Sequence, residues 1–148
     1  MSELAFSIQE VVVAVTDIDA AAQRLGGAMN AKIDQTVSYP QSGIEIEMGG
    51  IWVDDFRIAL VKDSGGTGPV SKFIENRGEG LYEVCLRTAD LPAAIDHMKA
   101  AGMRFVSEEP HSLRDYEWHG EIFSEVKVVF VHPASSHGVL IELQQWIK

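Results

Sequence analysis

Two stretches of the chain carry the same pattern of apolar and polar positions. Residues 10–29, "EVVVAVTDIDAAAQRLGGAM", superpose on residues 83–103, "EVCLRTADLPAAIDHMKAAGM", when Glu10 is laid on Glu83. Each opens on a carboxylate and continues as an apolar run of strand length. Each then reaches an aspartate able to cap a helix, Asp17 (or Asp19) and Asp90. An alanine-rich amphipathic segment follows in both and stops near glycine. In the first half the pattern predicts a strand over 8–15, a helix over 20–25 ended by Gly26-Gly27, and strands over 32–39, 44–48 and 56–61. Gly49-Gly50 is expected to break the fourth of these elements, and Pro40-Gln41-Ser42-Gly43 to form a turn.

The second half repeats that order. Strands are predicted over 81–88, 104–109, 126–132 and 138–146, with a helix from Asp90 to near Gly102 and a turn at "PASS". The fold class expected is therefore α+β: one domain over 1–148, made of tandem βαβββ modules at about 8–62 and 81–146. A Gly/Ser-rich linker with a short helix, capped by Ser71 and ended by Gly78, joins them over 63–80. Residues 111–125, "HSLRDYEWHGEIFSE", have no counterpart of similar length and read as an aromatic loop, either a lid over a site or a packed Ω-like loop.

Composition narrows the function. The 148 residues are 46% hydrophobic and 23% charged, as in an ordinary globular domain. A formal net charge of −10 argues against a nucleic-acid binder, which needs a basic face. No apolar run reaches membrane-span length, and the acidic N-terminal stretch has no basic region of a secretory signal. A cytoplasmic protein without membrane partners is expected. Cys85, the one cysteine, lies inside a strand-like run and reads as a small core residue.

Three stretches, "SKFIENRGEGLYEVCL" (71–86), "AAIDHMKAAGMRFVSEEP" (93–110) and "VFVHPASSHGVLIELQ" (129–144), give the chain its family likeness. With the tandem modules, they resemble the vicinal oxygen chelate superfamily of glyoxalase I, extradiol dioxygenases and methylmalonyl-CoA epimerase. The chain looks most like the epimerase group. The resemblance implies paired curved sheets enclosing a metal-bearing cavity, and a homodimer. Carried over by position, the two family histidines fall on Glu10 and Glu83, the glutamine on Ala59, and the glutamate on Glu142, a full match. The family's second catalytic base falls nearest Gln41, with Glu45 and Glu47 close by.

In that fold Glu10, Glu83 and Glu142 converge on one cavity, where three carboxylates cannot all stay charged unaided. At ~4 Å each pair repels by about 4 kcal/mol at an effective dielectric near 20. Either a divalent cation binds, with all-oxygen ligation favouring Mg²⁺, Mn²⁺ or Ca²⁺ over Zn²⁺, or one carboxyl holds a proton. Both outcomes suit proton transfer next to a carbonyl, with Glu142 and Glu83 as catalytic groups and Glu10, Glu83 and Glu142 as metal ligands. Trp118, His119 and His137 are candidate contacts to a small-molecule substrate, while His132 reads as structural and His97 as solvated. The activity expected is an isomerase, an epimerase or racemase moving a proton α to a carbonyl or thioester. The alternatives are a non-catalytic small-molecule binder of the same fold and a glyoxalase-type lyase.

Overall fold

The computed structural model describes residues 4–41 and 43–148. They group into two compact units. One is Glu10–Glu83; the other joins Val84–Lys148 to the described residues before Glu10. Both divisions fall inside strands, since β1 spans Phe6–Ala14 and β6 spans Gly80–Thr88.

In the Glu10–Glu83 unit, α1 (Ile18–Ala28) follows β1, and β2 (Lys32–Ile33), β3 (Val37–Gln41), β4 (Ile44–Val53) and β5 (Phe56–Asp63) complete the module. The strands lie in the order β2–β4–β5–β1, with β3 also paired to β4. β5 runs parallel to β1, with Val12 opposite Ala59. Asp17 caps α1, its carboxylate accepting from the Ala20 N–H at 3.0 Å. Ile18 and Ala22 of α1 pack on Ile51 and Leu60 beneath. Truncating a buried leucine such as Leu60 removes about 2–5 kcal/mol.

Several boundaries differ from the pattern-based expectation, each for a local reason. The helix runs through Gly26-Gly27, because a Cβ on Gly26 would lie 2.9 Å from Ile33 Cγ1, so close packing needs glycine there. Strand β4 likewise runs through Gly49-Gly50. A Cβ on Gly49 would meet Ile18 Cγ2 at 2.6 Å, and one on Gly50 would meet Arg57 Nε at 2.6 Å. These glycines mark close approach on the two faces of a continuous strand. Residues 32–39 split into two short strands. Helix α2 spans Pro69–Arg77 and starts ahead of Ser71, which is therefore not its cap. Proline suits the first turn, and the Asp63 carboxylate takes the Ser71 N–H at 2.7 Å. The expected turn at 40–43 contains Ser42, which lies outside the described residues; Gln41 and Ile44 pair across it.

The second unit repeats the module. After β6 come α3 (Leu91–Ala100), β7 (His111–Trp118), β8 (Glu121–Val131) and β9 (Leu140–Ile147), in the order β6–β9–β8–β7. Asp90 caps α3 through the Ala93 N–H at 3.0 Å, as Asp17 does for α1. Leu91, Ala94 and Ile95 pack on Val129 and Leu143.

The stretch read as an aromatic loop is a β-hairpin, with Trp118 opposite Glu121 and His111 opposite Val128. His119 and Gly120, both at positive φ (51° and 76°), make its two-residue turn. That turn twists with the strands it joins, so a dipeptide ending in Gly between alternating residues was the signal for it. With β7 on the edge of β8, residues 104–109 form only an isolated bridge, Phe105 to Val131, rather than a strand. "PASS" folds as a 3₁₀ turn over Pro133–Ser135, capped by His132 Nδ1 accepting from the Ala134 N–H. Among the described residues no helix is long and apolar enough to cross a membrane.

Candidate active site

In the Glu10–Glu83 unit, alternation along β5 turns Ile58 and Leu60 toward α1 and Arg57 and Ala59 to the opposite face. Arg57 is buried there and its guanidinium is held on three sides. Nη1 donates to Glu10 Oε2 at 3.0 Å, Nε to Asp34 Oδ2 at 3.0 Å and Nη2 to the Gly49 carbonyl at 3.2 Å. Asp34 also accepts from Trp52 Nε1 at 2.8 and 2.9 Å. Gly50 leaves the space the guanidinium occupies. Burial raises the Glu10 pKa above the usual carboxylate range, outweighing the pull of Arg57. Ala59, the position of the family glutamine, is fully buried and offers no donor.

The second group is built on β6 and β9. Residues two apart on a strand share a face, so Glu83, Cys85 and Arg87 form one row and Glu142, Gln144 and Trp146 another. Cys85 Sγ donates to Glu142 Oε2 at 2.8 Å, and Gln144 Nε2 donates to the same oxygen at 2.7 Å. Trp146 Nε1 donates to Gln144 Oε1 at 2.9 Å. A relay of hydrogen bonds thus runs from an indole through an amide to a carboxylate, and a thiol closes it from β6. Glu83 and Cys85 are buried, while Glu142 keeps partial exposure. One ligand atom from each of Glu83, Cys85 and Glu142 lies within 4.8 Å of the other two. Two carboxylates and a thiol at this spacing fit a divalent cation. The set includes a sulfur where an all-oxygen one was expected, so Cys85 is both a core residue and a member of the site.

Beyond Gln144 the site is walled by aromatic rings. Trp146 meets Phe123, Tyr116 and Trp118 edge-on, with centroids 4.9, 5.3 and 5.5 Å away. The Arg87 guanidinium lies over the Trp146 ring at 4.1 Å. Burial also lowers its pKa, though an arginine stays charged throughout the working range.

The structure brings Glu83 and Glu142 together and sets Trp118 in the ring cluster that adjoins them. Glu10 has Arg57 as its partner. His119 lies exposed in the hairpin turn with its ring 5.6 Å from that of Trp118. His137 is exposed, at positive φ, in the turn before β9. Sequence reasoning missed Asp34, Arg57, Arg87 and Gln144. Alternation alone could have found the last two, since each sits two residues along from a residue already singled out on its strand.

The family model for the glyoxalase/bleomycin resistance protein/dioxygenase superfamily matches residues 9–119. The chain belongs to this superfamily. It is 30% identical over 140 residues to the ethylmalonyl-CoA/methylmalonyl-CoA epimerase of Cereibacter sphaeroides, covering 93% of this chain and 96% of that protein. It is 26% identical over 139 residues to the human mitochondrial methylmalonyl-CoA epimerase, covering 93% and 73% of the two chains. Among solved structures, a hypothetical protein of Bacillus halodurans superposes with TM-score 0.76 at 24% identity, covering 95% and 94% of the chains. Streptomyces coelicolor methylmalonyl-CoA epimerase, in complex with 2-nitronate-propionyl-CoA, superposes with TM-score 0.73 at 24% identity over 97% and 95%. The superfamily fold expected from the duplicated pattern is the fold observed, and within the superfamily the likeness is to the epimerases.

Proposed function

We propose that this protein is an isomerase, an epimerase that inverts the carbon next to the thioester carbonyl of an acyl-CoA. The observation that carries the reading is the half-open carboxylate of Glu142, oriented on one oxygen by Cys85 and Gln144 beside a second acidic side chain, Glu83. The epimerases to which the chain is similar over nearly all its length support the same class.

Glu142 takes the α-proton as a carboxylate. The electron pair left on carbon is drawn into the thioester carbonyl, and Glu83, carrying a proton, returns one to the carbon. Glu142 then ends protonated and Glu83 ionised, which readies the pair for the reverse direction. Epimerisation needs no net proton uptake, so a pair of carboxyl groups sharing one proton suffices. Glu83, Cys85 and Glu142 could instead hold a divalent cation once all three are deprotonated, and it would then take the place of the shared proton and supply Lewis-acid polarisation of the carbonyl; the thiolate would favour a borderline ion such as Zn²⁺ over the hard ions. Glu10 we assign to Arg57 as its counter-ion. Trp118 and His119 line the approach to the site at the hairpin tip, with His137 as a further substrate contact. We place the enzyme in the cytoplasm as a homodimer, testable by its mass in solution.

The decisive experiment is incorporation of solvent deuterium at the α-carbon of a panel of 2-substituted acyl-CoA thioesters. The reading expects exchange coupled to inversion. A metal-loaded, folded protein that exchanges none of them would sink it.

A further inference from the structure

A buried amide and an indole stand behind Glu142, and proton transfer in itself calls on neither. Glu142, Gln144 and Trp146 share one face of β9. Opposite them on β8 lie Phe130, Val128 and Val126, all apolar. Gln144 is buried there, so its amide finds its partners along its own strand. Nε2 donates to Glu142 Oε2 at 2.7 Å, and Oε1 accepts from Trp146 Nε1 at 2.9 Å. The two ends of an amide are nearly equal in size, so packing alone would admit either sense. An indole N–H is a donor only, and of the two ends it can be met by the oxygen alone. It therefore turns the nitrogen of Gln144 toward Glu142. The indole is held in place in its turn. Phe123, Tyr116 and Trp118 of the β7–β8 hairpin meet it edge-on, and Arg87, drawn also to Glu121, stacks on its face.

We propose that Trp146 is a positioning residue, holding the Gln144 amide in the one sense that keeps a donor on Glu142 Oε2 throughout turnover. This rests on the reading of Glu142 as the base that takes the α-proton. In that reaction Glu142 alternates between carboxylate and acid. A carboxylate accepts only from the amide nitrogen, whereas an acid O–H donates equally well to the amide oxygen. Without Trp146 the amide is free to turn each time Glu142 takes up its proton, and must turn back before the next cycle. With the indole in place Oε2 stays paired with a donor, and the incoming proton is directed to the other oxygen. Cys85 donates to the same Oε2 at 2.8 Å and supports the arrangement from β6 while its thiol is protonated. The positioning is shared, so loss of one donor slows turnover without abolishing it.

The test removes the indole N–H and little else. Trp146→Phe keeps a ring among the hairpin aromatics. Benzothienylalanine in place of Trp146 keeps both rings, with sulfur where the N–H was, and serves if the smaller ring disturbs folding. In either protein kcat for α-deuterium exchange should fall about 3- to 10-fold, the range for one hydrogen bond, with KM within about twofold of wild type. Gln144→Leu should show a loss of similar size. Adding Trp146→Phe to it should cost nothing further, because the indole acts only through the amide. Losses that multiply in the double variant, or a kcat unchanged by removal of the N–H, would overturn the proposal. A second readout needs no substrate: the side-chain amide resonances of Gln144. The proton aimed at Glu142 should be shifted downfield and slow to exchange in the wild type, and both marks should weaken without the indole N–H. A wild type that exchanges no thioester but keeps this dependence on Trp146 would retire the acyl-CoA reading and leave the positioning role standing. A Gln144 signal unmoved by removal of the N–H would overturn the proposal whatever the activity.

Discussion

The two modules share a plan and have spent it differently. Glu10 and Glu83 stand at the same place in the duplicated pattern, one near the middle of β1 and one near the middle of β6. Around Glu10 the sheet face is closed by Arg57, which also binds Asp34 and the Gly49 carbonyl, so the acid is a counter-ion inside a buried network. In the other module the position on β9 that matches Arg57 is Leu140. Cys85, Glu142, Gln144 and Trp146 make a row of donors and acceptors that ends at a partly exposed carboxylate. On the proposed mechanism one copy of the module serves as scaffold and the other carries the chemistry. The difference comes down to the closing strand, where β5 carries Arg57 and Ala59 and β9 carries Glu142.

The harshest way to break the comparison is to remove the chemistry from the second module. Glu142→Gln keeps the shape and the Gln144 contact but cannot take a proton. It should lower the rate of α-deuterium exchange by about 10²–10⁴-fold, the usual contribution of a positioned base, with little change in unfolding midpoint. Exchange within tenfold of wild type would remove Glu142 from the role.

Next in size is the scaffold. Arg57→Ala leaves Glu10 and Asp34 facing each other without their shared cation. Breaking one side of a buried pair costs about 3–5 kcal/mol, to be read from urea denaturation at neutral pH. Gly50→Ala tests the same network more gently. Its new methyl would sit where the guanidinium now lies, so Arg57 must shift and give up part of its bonding, for about 1–3 kcal/mol. If the variant is as stable as the wild type, the guanidinium is not confined as described.

How much of this was legible in the chain follows from what each residue depends on. The duplicated strand–helix units and both aspartate caps were readable because they rest on local periodicity and on a likeness between two stretches of one sequence, whereas Glu142 was singled out beside Glu83 only through the family resemblance. The hairpin of β7 and β8 was missed because its alternation is interrupted at Asp115, at positive φ (51°), which breaks the period that signals a strand. Arg57 was missed for another reason. Its partners Glu10, Asp34 and Gly49 come from three other parts of the chain, and only the folded sheet brings them together. Gly49-Gly50 looked like a break for the same cause: a glycine that ends a strand and a glycine that makes room for a neighbour are one letter in the sequence.

The smallest effect sharpens the comparison most, because it asks whether Glu10 is held as a charge or merely tolerated as one. Burial raises its pKa in the folded protein above the ordinary value of 4.5, in spite of Arg57. A raised carboxyl contributes its full share to stability below its unfolded pKa and loses it as pH rises through the folded value. Wild-type stability relative to Glu10→Gln should therefore fall as pH is taken upward from about 4.5, then level off, with a slope no steeper than about 1.4 kcal/mol per pH unit. The two unfolding curves, compared by urea titration between pH 4 and pH 8, give that difference directly. A difference that rises with pH over the same window would mean that Arg57 outweighs burial and holds Glu10 ionised. The first module would then be stabilised by its charge pair, rather than carrying a buried carboxylate at some cost to keep Arg57 in place.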